Sequence, residues 1–246
     1  MQIISLIIGS FLLVMLVIKL SQGKKYAELI ASVDSKQFPG KEFFGIGFAW
    51  SEMKVFSLKG KLKQNLLKKA KLLYDPKYAE YYATITWAQV LTMVHLCLCL
   101  GFVLAGVMNF AFFWLVGVIA AGMSGYYFFS RMKEQVAQRR DDCVIELPEI
   151  VSSMALLINS GMVLRNAWDK IANSKEGEIY TLMKEVSFDM QNGMSEIDAI
   201  NKFGIKSDSG EIKKFAGVLI QGIEKGSKDL SEYLTKQSSE MWALKK

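Results

Sequence analysis

Residues 81–130 read YYATITWAQVLTMVHLCLCLGFVLAGVMNFAFFWLVGVIAAGMSGYYFFS, and none of these fifty side chains carries a formal charge. About 20 apolar residues cross a bilayer core of about 30 Å. The stretch is too long for one helix and fits two helices joined by a tight turn. The spans predicted are Thr84 to Gly106 and Phe110 to Phe129, with Met108 and Asn109 turning between them. Tyr81, Tyr82 and Trp87 mark one interface, and Tyr126, Tyr127 and Phe128 return to it, as an aromatic belt requires. Gly101 and Ala105 on the second span, and Gly117, Ala121 and Gly125 on the third, recur at four-residue spacing. Small residues on one helix face admit a close helix neighbour, either within the hairpin or on another subunit. His95 is the only histidine. With no acid nearby in sequence it cannot form a relay and reads as packed and hydrogen-bonded. The absence of Asp, Glu, Lys and Arg from these spans argues against a transporter or channel path.

Met1 to Ile18 is also free of charge, and Lys19, Lys24 and Lys25 follow it. A signal peptide carries its positive charges ahead of the apolar run. Residues 1–18 therefore read as an uncleaved transmembrane anchor with the N-terminus outside, because positive flanks mark the cytoplasmic side. Residues 19–80 hold 13 lysines against 6 acids, net +7, whereas residues 131–246 are nearly balanced. Two spans separate the segments, so both are predicted on the cytoplasmic side of an inner, multi-pass membrane protein. A basic surplus beside spans suits anionic lipids, with no nucleic acid as partner. Leu58, Leu62, Leu66, Ala70 and Leu73 form a helical stripe opposite lysines, the pattern of an amphipathic helix in the headgroup layer. Gln37 to Trp50, with Pro39, Gly40, Gly45 and Gly47, reads as loose linker.

Residues 131–246 read as a cytoplasmic domain of six helices in three hairpins. Gly161, Gly193 and Gly226 recur at nearly equal intervals, each closing an apolar-periodic segment where a helix end favours glycine. Helices are predicted over about Asp142–Ser160, Leu164–Ala172 and Glu178–Gln191. Three more begin at Ser195, where Asp198 makes a capping-box pattern, near Asp208, and at Ser227. The fold class is all-α, with domains at 1–18, 19–80 (basic linker), 81–130 (membrane hairpin) and 131–246.

No phosphate-binding loop, zinc-protease helix or paired-cysteine motif occurs, and the single histidine rules out an ordinary catalytic triad in the charged domain. Neither catalysis nor a cofactor or metal is expected. Cys97, Cys99 and Cys143 have no site spacing and read as reduced, Cys143 being the one predicted exposed.

Leu147-Pro148-Glu149, the apolar helix after it, Ser160-Gly161-Met162 and Asn192-Gly193-Met194 resemble the type II secretion system F domain. The form is that of the Tad/Flp pilus assembly platform proteins of the TadB and TadC type. Gly161 with Ala167, Gly193 with Ala199, and Gly226 with Leu230 and Leu234 fall on the same pattern, and the order of anchor, basic loop, hairpin and helical domain is similar. The family continues into further membrane segments, whereas this sequence runs to Lys246. The resemblance implies a non-enzymatic inner-membrane platform that couples a cytoplasmic assembly ATPase to pilin extraction, with a paralogous F-domain protein or a second copy as partner. The alternative is a membrane-anchored adaptor or receptor subunit with a helical partner-binding domain.

Overall fold

A computed structural model describes residues 2–35, 37–110, 112–225 and 227–244. Among the described residues all regular structure is helical. Three stretches, Gln2–Ala31, Ala79–Val107 and Phe112–Asn159, are long and apolar enough to cross a membrane. The chain divides into two units, one ending at Glu134 and the other beginning at Gln135.

The first unit contains α1 (Gln2–Gly23), α2 (Ala27–Ala31), α3 (Phe44–Ser51), α4 (Gly60–Leu73), α5 (Ala79–Val107) and the start of α6 (Phe112–Asn159). Helices α1, α3 and α5 pack pairwise, and α4 lies on α5. Gln2 Nε2 donates to the Gly106 carbonyl at 3.4 Å, so the N-terminal end of α1 is level with the C-terminal end of α5. Asn109 turns the chain between α5 and α6 at φ 50°, a left-handed conformation that asparagine tolerates better than most residues. Leu66 and Ala70 of α4 are buried against Ala79, Ala83 and Met132. Beside them Tyr74 stacks on Tyr82 at 3.7 Å, and burial pushes its phenol up to about 12.

Two features of this unit correct the sequence reading. Residues 44–51 are not linker. They form α3, whose side from Phe44 to Ala49 is buried without interruption. A helix apolar all round has no amphipathic period and belongs in a core; its short length and two internal glycines hid it. The third apolar stretch also does not stop before the charged domain. α6 runs unbroken from Phe112 to Asn159, because residues 131–141 contain neither glycine nor proline and consist mostly of good helix formers.

The second unit holds the rest of α6, then α7 (Leu164–Ala172), α8 (Glu178–Gln191), α9 (Glu196–Lys206), α10 (Gly210–Lys225) and α11 (Ser227–Leu244). Neighbours in sequence pack from α7 to α11, and Ser152 of α6 meets Ser238 of α11 at 2.6 Å. One core joins Leu147, Ile150 and Met154 of α6 to Trp168, Leu182, Phe203, Phe215 and Leu234. Cys143 belongs to that core at 0% exposure, against the expectation of an exposed thiol. It stands one turn before Leu147 and shares its inward face.

Candidate functional site

The candidate residues gather in two places, one in each unit. In the first unit α3 is held by glycine contacts. A Cβ on Gly23 of α1 would stand 2.4 Å from the Gly45 carbonyl carbon, and one on Gly47 would stand 1.9 Å from the Ala88 carbonyl oxygen of α5. The Gly47 amide donates to Thr92 Oγ1 at 3.0 Å, and that hydroxyl donates to the Ala88 carbonyl at 2.8 Å. Backbone therefore touches backbone on both sides of α3.

Lys19 closes the C-terminal end of α3. Its side chain is only 8% exposed, its Nζ donates to the Ala49 carbonyl at 3.0 Å, and it sits 5.0 Å over the Trp50 ring. The last four carbonyls of a helix lack intrahelical donors, and a cation there also meets the negative end of the peptide dipoles. The lysine read from sequence as a flanking charge is thus part of the packing. Trp50 in turn lies 5.5 Å from His95. Trp50 Nε1, Gln89 Nε2 and His95 Nε2 are buried and lack hydrogen-bond partners among the described residues. The cluster holds a cation and neutral polar groups, and no group of His, Cys, Asp and Glu able to hold a metal occurs among the described residues. Outside the three apolar stretches, Glu52 is paired with Lys25 and Tyr26. The Lys25 hydrogen bond, followed by that of Tyr26, holds the Glu52 carboxyl below its usual range.

Lys19→Ala is expected to cost about 1–3 kcal/mol, the penalty for leaving a buried acceptor without its donor. Lys19→Met should lose nearly as much although it restores the volume. Thermal melting of the full chain in detergent checks this; wild-type melting of both variants would show the ammonium to be dispensable.

The small residues singled out in the hairpin face their own neighbour. A Cβ on Gly101 would stand 2.4 Å from Gly117 Cα, and one on Gly125 would stand 3.0 Å from Val94 Cγ2. Ala105 and Ala121 are buried. The Gly101, Gly117 and Gly125 contacts are between α5 and α6 of one chain.

In the second unit, Leu147 points into the core, Pro148 lies inside α6, and Glu149 pairs with Lys175 at 2.5 Å. Gly161 and Gly193 stand at φ 90° and 93°. At the first turn the Gly161 amide donates to the Ile158 carbonyl and the Met162 amide to that of Leu157. At the second, Gly193 donates to Met190 and Met194 to Asp189. This is the same two-bond Schellman closure twice, with glycine left-handed and methionine following. Gly226 lies outside the described residues. Arg165, just past the first turn, reaches Glu196, just past the second, at 3.8 Å. The two turns are therefore side by side. Around them Leu156 and Val163 are 70% and 68% exposed, and Phe188, Met194 and Ile197 are exposed as well.

Comparison with known protein families, curated proteins and solved structures found no match for this chain.

Sequence reading missed Lys19, Gly23 and Trp50 as members of one cluster, and the roles of Gly45 and Gly47. The available signal was Phe43 to Trp50, an uncharged apolar octet with its two glycines two apart.

Proposed function

We propose that this chain is a platform subunit of an inner-membrane machine of the type II secretion and Tad/Flp pilus class. In this reading α1, α5 and the first part of α6 cross the membrane. The N-terminus is outside, and the charged segments and the second unit are cytoplasmic. The second unit is an F-type domain of six helices in three hairpins. An assembly ATPase docks on it, and the stroke passes along helices to the spans beside which pilin leaves the bilayer. A paralogue or second copy completes the assembly.

The observation that carries the reading is the pair of matched Schellman turns, held side by side by Arg165 and Glu196 and ringed by exposed apolar side chains. Exposed Leu, Val, Met and Phe grouped at one end of a helical unit mark a protein contact. Leu147-Pro148-Glu149, the two glycine turns and the order of parts resemble the platform family.

The test is affinity purification from native membranes of the wild-type chain and of a Val163→Glu, Met194→Glu double variant. A secretion-type ATPase and a second F-domain protein should accompany the wild type. The double variant should lose the ATPase by roughly thirtyfold, the effect of removing a contact worth about 2 kcal/mol. Retention of the ATPase by the variant would move docking elsewhere. Recovery of unrelated partners, with neither ATPase nor F-domain protein, would replace the platform reading with that of a membrane adaptor.

A further inference from the structure

Where α1 ends, the first unit has a groove of about 450 Å³, within the size range of small-ligand sites. Leu20, Ala27, Ile30 and Ala31 give it apolar walls, Gly23 and Gly45 lie at its back, and Lys24, Lys41 and Glu42 line it as well. We propose that this groove binds one anionic glycerophospholipid, its phosphate between Lys24 and Lys41 and the start of an acyl chain along the apolar wall. The proposal rests on the membrane reading above.

Three observations carry it. The first is depth. Gly23 stands 21 residues along α1 from Gln2, about 31 Å at the helical rise, and a bilayer core is about 30 Å thick. The groove thus opens where acyl chains give way to headgroups. The second is charge. Lys24 lines the groove and is exposed, so its ammonium can reach an anion there. Lys41 Nζ donates to the Val33 carbonyl at 2.5 Å and the Ala31 carbonyl at 3.4 Å. Those two bonds fix the ammonium at the rim and leave a third donor unused. Two ammoniums against the single Glu42 carboxylate leave a net positive rim, which favours a phosphodiester without a balancing headgroup cation. The third is shape. Gly23 and Gly45 touch backbone to backbone, so α1 and α3 meet without side chains at the back of the groove and leave space in front.

This site is separate from the basic face of α4. A helix lying in the headgroup layer attracts anionic lipid diffusely, one lysine adding about fivefold. A groove with a fixed lysine retains a single lipid.

The experiment uses the full chain, purified in mild detergent, delipidated, and incubated with phosphatidylglycerol or with phosphatidylcholine of the same acyl chains. Native mass spectrometry reads the bound lipid. One phosphatidylglycerol per chain should survive conditions that remove phosphatidylcholine. Lys24→Glu should lower its occupancy by about fivefold or more. Ala31→Trp should do the same by filling the groove with the lysines intact. Lys61→Glu with Lys68→Glu on α4 should leave it in place. Lys24→Gln serves if the reversal disturbs folding, as judged by melting temperature. Equal retention of the two lipids, or undiminished phosphatidylglycerol on folded Lys24 and Ala31 variants, overturns the proposal. So does a rise in melting temperature with inorganic phosphate alone that equals the rise with lipid, since the lysines would then be a simple ion site. Alkaline extraction of native membranes tests the underlying reading separately. Release of the chain would remove both. A chain that stays in the membrane but shows no lipid preference removes only the groove.

Discussion

Trp168→Ala is expected to cost the second unit about 3–5 kcal/mol, the range for removing a large buried aromatic ring. Trp168 is 1% exposed at the centre of the core. Its Nε1 donates to the Met183 carbonyl at 3.0 Å, and its ring stands edge-on to Phe203 at 5.1 Å. One side chain therefore ties α7 to α8 and α9. A domain of this size has a total stability of about 5–15 kcal/mol, so the variant should leave the unit marginal. Hydrogen exchange of the full chain in detergent reads this locally. Peptides from α7, α8 and α9 should lose protection together, while those from α5 keep theirs. Trp168→Phe keeps most of the apolar surface and gives up the hydrogen bond, a loss of about 1 kcal/mol plus part of the ring contact. Wild-type protection in the alanine variant would mean that the core does not depend on this ring.

Gly47→Ala is the corresponding change in the first unit, and it acts by addition. The new methyl would lie 1.9 Å from the Ala88 carbonyl oxygen and 2.7 Å from Thr92 Oγ1. The nearest atoms are backbone of α5, which cannot rotate away as a side chain end can. Helix α3 must withdraw, breaking the Gly47–Thr92 hydrogen bond and pulling Ala49 and Trp50 from Lys19. Overpacking costs about 1–3 kcal/mol and sometimes more, with about 1 kcal/mol added for the hydrogen bond. We expect a total at or above the upper end of that range. Gly122→Ala provides the contrast. Nothing lies within 4 Å of the added Cβ, and alanine exceeds glycine in helix propensity by about 1 kcal/mol. Melting in detergent should fall steeply for Gly47→Ala and hold or rise for Gly122→Ala. Equal melting of the two variants would contradict the glycine-cradle account of α3.

The helices of the second unit were legible. Apolar periodicity and glycine punctuation bound helices at Leu164–Ala172 and Glu178–Gln191, and the helices have those bounds. Gly161 and Gly193 marked helix ends, since an amide at φ near 90° suits glycine and few other residues. Hidden from the sequence was that the two turns lie beside each other, since Arg165 and Glu196 are 31 positions apart.

The candidate sites were legible only in part. Gly101, Gly117 and Gly125 carried the small-residue spacing of a packing face, but spacing does not name the partner; the contact distances place it within the chain. Lys19 read as the first polar residue after an apolar run. Its burial depends on α3 arriving from 30 residues away to supply the Ala49 carbonyl and the Trp50 ring.

By itself the sequence determined that the chain is helical, that three stretches are long and apolar enough to cross a membrane, and where most helices of the charged region begin and end. These follow from local quantities: charge, hydropathy, period and glycine position. Only the tertiary structure decided that residues 44–49 are core and not linker, that Lys19 is a helix cap and that the two glycine turns form one surface. Each of these depends on groups distant in sequence coming within a few ångströms, and neither periodicity nor composition carries that information.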